Sequence, residues 1–163
     1  MTDKNVSIMN IGSMGYLPQV FKKIENEKKL NIVYLGGSIT MGCNATKTEL
    51  RYVDRSAKWW QTNFPDAEIS YFNAGIGATT SQFGVARVQE HVLDKQPALV
   101  FVEFSVNDSS SPLFMETYES LVRRLLKAES VKAVVLINNL FYNTGTNAQG
   151  IPVSYTHLRA HET

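Results

Sequence analysis

The stretch from Asn31 to Gly42, NIVYLGGSITMG, limits the possible folds of this chain more than any other. Ile32, Val33, Tyr34 and Leu35 form an apolar, β-favouring run that meets two glycines, a serine and then a segment able to turn into a helix. That order reads as a buried strand entering a tight turn. Gly36 and Gly37 admit backbone angles that a side chain forbids, so Ser38 can be held at the carboxyl edge of a sheet, facing the first free amides of the next helix. A serine there can cap the helix, help to hold an anion at the helix N-terminus, or attack as a nucleophile. The stretch alone leaves all three open.

The rest of the chain repeats the same strand-to-helix change. Residues 1–17 form a polar, glycine-dotted N-terminal segment. Pro18 then opens a helical pattern in which Val20, Phe21, Ile24 and Leu30 make an apolar stripe opposite a solvated run of lysines and glutamates. A helix is predicted from Tyr52 to Phe64, closed by Pro65, with Trp59 and Trp60 as core and rim packing. The strand Glu68 to Asn73 ends in AGIGATTS. A helix from Gln82 to Leu93 follows, burying Phe83, Val85, Ala86, Val88, Val92 and Leu93, with His91 near its C-terminus, where a positive side chain complements the helix dipole. Ala98 to Ser105 is the most continuous apolar segment, as a central parallel strand should be, and it leads into Val106, Asn107 and Asp108. A helix from Met115 to Ala128 and a strand from Val131 to Asn138 complete the series.

Four such alternations with short links predict an α/β domain, a parallel sheet sandwiched between helices in three layers. The strand ends at Ser38, at Asn73 to Ala78 and at Asn107 then gather on one edge, where ligands of open α/β sheets bind.

Composition narrows the partners. With 16 basic and 15 acidic residues the net charge is +1, and no Lys/Arg cluster interleaved with aromatics occurs, so nucleic acid is not an expected ligand. Cys43 is the single cysteine, which excludes an internal disulfide and zinc-type spacing; it reads as a small buried residue rather than a catalytic thiol. No apolar run reaches membrane-spanning length, and the start MTDKNVS lacks the regions of a signal peptide, so a cytoplasmic location away from membranes is expected.

Taken together, the three strand ends resemble the sequence blocks of the SGNH hydrolase superfamily, the GDSL esterases and lipases. GGSIT at 36–40 is similar to the first block, with Ser38 at the nucleophile and Gly37 where the usual motif has aspartate. NAGIGATTSQFGVAR at 73–87 is similar to the second, whose glycine gives an amide to the oxyanion hole; that position falls on Ala78, with Gly77 beside it as the alternative. VEFSVND at 102–108 is similar to the third, in which asparagine supplies a side-chain amide, here Asn107. Ser105 replaces the usual glycine, and Asp108 reads as a loop brace. The resemblance covers residues 18–149. It implies the flavodoxin-like SGNH hydrolase fold and a serine esterase or acylhydrolase working through an acyl-enzyme on Ser38. The implied substrate is a small-molecule or carbohydrate ester, with deacetylation of carbohydrate favoured over lipid cleavage, and no metal or organic cofactor is implied. The reading from another class is a flavodoxin-like module that binds a nucleotide or sugar; its support is weak, because Gly75 and Gly77 make only GxGxxT and no phosphate-binding GxxxxGK[ST] occurs.

The family's base comes from a late Asp-x-x-His block after a fifth strand. His91, His157 and His161 are preceded three positions earlier by Val88, Ser154 and Leu158, so none carries the required carboxylate. NAQ at 147–149 still resembles the family, but residues 151–163 read as a foreign tail in which the two histidines are accidental. The sequence thus predicts a domain over 18–150 without its last strand and Asp-x-x-His block, and a chain with little turnover.

Overall fold

The central strand sets the layers through the alternation of its side chains. In β1 (Lys29–Gly36), Leu30, Ile32 and Tyr34 join one apolar cluster while Val33 and Leu35 join another, and all five are fully buried. A strand covered on both faces needs helices on both sides. The structure, a computed structural model, describes residues 12–139 and supplies them.

On the first face, α1 (Leu17–Glu27) packs Val20 and Ile24, and α3 (Tyr52–Asn63) packs Val53 and Trp60, against Leu30, Ile32, Tyr34, Ile69 and Leu99. On the second face, Val88 of α4 (Ser81–His91) and Tyr118, Leu121 and Leu125 of α5 (Pro112–Lys127) cover Val33, Leu35, Val100, Val102 and Phe104. Between them β2 (Glu68–Gly75), β1, β3 (Leu99–Glu103) and β4 (Ala133–Leu136) lie side by side in that order, all parallel. The chain leaves β1 toward β2 and later crosses back to β3, so the direction of winding reverses between β1 and β3 and opens a crevice at their carboxyl ends. The short α2 (Ser38–Met41) sits at that point.

The predicted α/β/α architecture is therefore the observed one, with local differences. Leu30 belongs to the strand and not to the stripe of α1, because Lys28 takes a left-handed conformation (φ 51°) that ends the helix first. On α4 the buried side is rotated from the expected one. Phe83 is 47% exposed and Ala86 is also exposed, whereas Gly84 and Arg87 are buried. The cause is contact: a side chain on Gly84 would put its first carbon 2.8 Å from the Phe104 ring, so this glycine faces inward and α4 lies close against α5 and the sheet. Trp60 is core and Trp59 rim, as predicted. Cys43 is exposed, contrary to expectation, because it lies in the turn that leaves α2, tied by its amide to the Ser38 carbonyl (2.9 Å). The tail at 151–163, His157, His161 and NAQ at 147–149 lie outside the described residues.

Leu121 is fully buried where α5 meets Gly84 and Phe104. Leu121→Ala is expected to cost about 2–5 kcal/mol of stability, read as a lower urea midpoint with an unchanged slope.

Candidate active site

The register puts Gly36 level with Gly75 on β2 and Glu103 on β3. No side chain fits at the first two. A Cβ on Gly36 would lie 2.1 Å from Thr40 Oγ1 and 2.5 Å from the Glu103 carbonyl oxygen, and one on Gly75 would lie 2.2 Å from the Met41 amide nitrogen. So α2 folds back directly onto the ends of β1 and β2. Polar contacts fix it there. The Asn73 carboxamide donates to the Thr40 carbonyl (2.8 Å) and accepts from the Gly75 amide (2.9 Å), Thr40 Oγ1 and the Tyr52 hydroxyl share a hydrogen bond (2.9 Å), and the Gly37 amide donates to the Glu103 carbonyl (3.2 Å).

The far end of α2 is held by charge. Arg51 grips Asp54 with two hydrogen bonds (2.6 and 3.1 Å), its stem fills the space where a Gly42 side chain would sit, and its third nitrogen reaches the Met41 carbonyl (3.4 Å). The Tyr71 hydroxyl donates to the same carboxylate (2.8 Å). Burial works to raise the Asp54 pKa, but Arg51 and Tyr71 outweigh it and hold the carboxyl below its ordinary value.

The loops after β2 and β3 close on the residue before Ser38. The position of a Cβ on Gly37 lies 3.4 Å from Asn107 Oδ1 and 3.4 Å from the Thr79 carbonyl oxygen. Both would be in ordinary contact with a side chain at position 37, so the two loops converge on this residue. Ser38 itself is half-buried, and its hydroxyl has no hydrogen-bond partner among the described residues. Nor does the amide of Ser38 or of Ala78 donate to a backbone carbonyl among them. Ala78 is exposed and left-handed (φ 57°), an angle glycine adopts freely and alanine does not, while Gly77 lies against the Met41 side chain. Asp108 is buried and accepts from the Ser81 amide (2.9 Å), so it braces the start of α4 against the Asn107 loop.

Two buried charged groups escaped the sequence reading. Glu103 is 1% exposed; its carboxyl accepts from Ser105 Oγ (3.1 Å), which in turn accepts from the Asn139 amide (2.8 Å), so the serine at a usual glycine position links the ends of β3 and β4. Burial pushes the Glu103 pKa up, against the neighbouring Asn139 and Ser105 side chains. Arg87 is 6% exposed and donates to the carbonyls of Ala74 (2.7 Å) and Gly36 (3.1 Å); burial lowers its pKa. The signal for it was its place in the second block. His91, the last residue of α4, has its Nδ1 3.3 Å from an Arg87 nitrogen and makes no hydrogen bond to Ser38. Among the described residues no group of His, Cys, Asp and Glu is placed to hold a metal ion, and no helix is long and apolar enough to cross a membrane.

Comparison with known proteins finds relatives of this fold. The family described as GDSL-like Lipase/Acylhydrolase matches residues 34–160. A two-domain esterase active on acetylated mannans superposes with a TM-score of 0.83 at 49% identity, over 88% of this chain and 38% of the esterase's own. A two-domain esterase active on acetylated mannans, co-crystallised with mannopentaose, gives the same score and identity, over 88% and 39% of the two chains. An acetylxylan esterase from Geobacillus stearothermophilus shares the fold at a TM-score of 0.56 and 22% identity, over 69% of this chain and 60% of its own. No curated protein sequence matches. The chain thus spans well under half of the mannan esterase it most resembles among these three.

Two outcomes test the local geometry. The Asp54 pKa is lower in the folded chain than its unfolded value of 3.8, so its contribution is complete above that pH and disappears as the pH falls through the folded value. Asp54→Asn should therefore be less stable at pH 7 by about 1–2 kcal/mol, with the two melting curves converging in acid. Ala78→Gly should relieve the left-handed angle and raise stability by up to about 1 kcal/mol, less whatever the freer unfolded chain takes back.

Proposed function

Because the chain belongs to the GDSL-like lipase/acylhydrolase family, we propose that it carries the nucleophile and oxyanion parts of a serine esterase that removes acetyl groups from carbohydrate. The observation that carries this reading is the convergence at Gly37, where the loops bearing Thr79 and Asn107 meet at the residue before a half-buried serine whose hydroxyl has no hydrogen-bond partner among the described residues.

In this reading Ser38 Oγ attacks the ester carbonyl carbon, and the carbonyl oxygen takes the electron pair. The amides of Ser38 and Ala78 and the Asn107 carboxamide surround that oxygen. Gly77, beside Ala78 and against the Met41 side chain, is the alternative donor. Collapse releases the sugar hydroxyl, leaving an acetyl ester on Ser38 that water cleaves. The proton of Ser38 needs a base, and His91 is tied to Arg87 at the end of α4, so the base comes from outside the described residues. The choice of an acetylated carbohydrate is supported by the relative active on acetylated mannans, at 49% identity.

Labelling separates the serine from its turnover. A fluorophosphonate probe should modify Ser38, located by peptide mass spectrometry, and Ser38→Ala should abolish the label. Asn107→Ala should slow labelling on the order of a hundredfold without changing the melting temperature. An unlabelled parent, or a label that persists in Ser38→Ala, would overturn the assignment.

A further inference from the structure

The polar side chains buried in the described structure include a single cation, Arg87. It takes part in no ion pair among the described residues, and its Nε has no hydrogen-bond partner. Its other two nitrogens go to the carbonyls of Gly36 and Ala74, the Phe83 ring lies 5.6 Å from the guanidinium carbon, and the one titratable neighbour in hydrogen-bond reach, His91, accepts at Nδ1. A desolvated guanidinium without a carboxylate costs stability, and an apolar side chain of similar volume is commonly as good or better for a fold. Packing alone does not account for an arginine here.

Its two carbonyl partners do. Gly36 is two residues before Ser38, and Ala74 is four before Ala78. The Gly36 carbonyl also accepts from the Ile76 amide (3.1 Å), so one oxygen joins β1, the loop after β2, and Arg87. We propose, resting on the esterase reading, that Arg87 is a positioning residue for the Ser38 site: it fixes the ends of β1 and β2 relative to each other and places an uncompensated positive charge beneath the point where the oxyanion forms. The charge is in place before the reaction and pairs with no carboxylate among the described residues, so it favours the anionic state over the neutral ester.

The test compares Arg87→Met, Arg87→Gln and Arg87→Lys by the second-order rate of fluorophosphonate labelling, with circular dichroism melts run alongside. Lysine keeps the charge but reaches as a single point donor, whereas the other two remove it. Loss of a preorganised positive charge near a developing oxyanion is expected to slow the reaction on the order of tenfold or more. Folded Arg87→Met or Arg87→Gln should show that loss, and Arg87→Lys should recover most of it. Rates within threefold of the parent in the neutral variants would overturn the proposal, as would a lysine variant as slow as methionine, or loss of folding in all three. A parent that takes no label removes the esterase reading itself, whereas a labelled parent with indifferent Arg87 variants removes only this inference.

Discussion

Backbone packed on backbone governs this molecule. At Gly36 and Gly75 the helix carrying Ser38 lies so close to the strand ends that even one added carbon would overlap it. Nothing flexible separates the turn from the sheet, so its position is inherited from the sheet register and through that from the apolar core. The hydrogen bonds of Asn73, Thr40 and Gly37 orient a contact that shape has already determined. Sites held in this way lose little entropy when they meet a ligand, because the ordering was done during folding.

Polar burial follows the same geography. Thr40, Ser81, Arg87, Glu103, Ser105 and Asp108 are the buried polar and charged residues of the described structure, and each belongs to the turns, helix starts and strand ends at the carboxyl edge or reaches into them. The interior between the helices and the middle of the sheet is apolar by comparison. A fold seeking stability alone would not gather its desolvated groups in one layer. Glu103 and Arg87 illustrate the cost, since burial shifts the pKa of each toward its neutral form.

Much of this was legible in the sequence because strand-to-helix changes marked by glycine are local signals. The order of elements, the three strand ends and Ser38, Asn107 and Asp108 could be placed from patterns a few residues long. What could not be read depends on the neighbour across the gap. The burial of Arg87 was not legible because nothing local says that Gly84 faces Phe104 and turns the helix. Leu30 continued the helical stripe until the left-handed Lys28 ended it. Cys43 looked like core because small residues usually are, but it follows a helix of one turn that leaves it on the surface. Ala78 could be aligned with a glycine position, yet that it keeps the glycine's backbone angle needed coordinates.

The exposed Cys43 gives this architecture an experimental handle. It is the chain's only thiol, and its amide is hydrogen-bonded to the backbone oxygen of Ser38 (2.9 Å). A spin label or dye attached there would sit on the Ser38 turn itself. Its mobility would report directly on whether that turn stays as still in solution as its glycine contacts require.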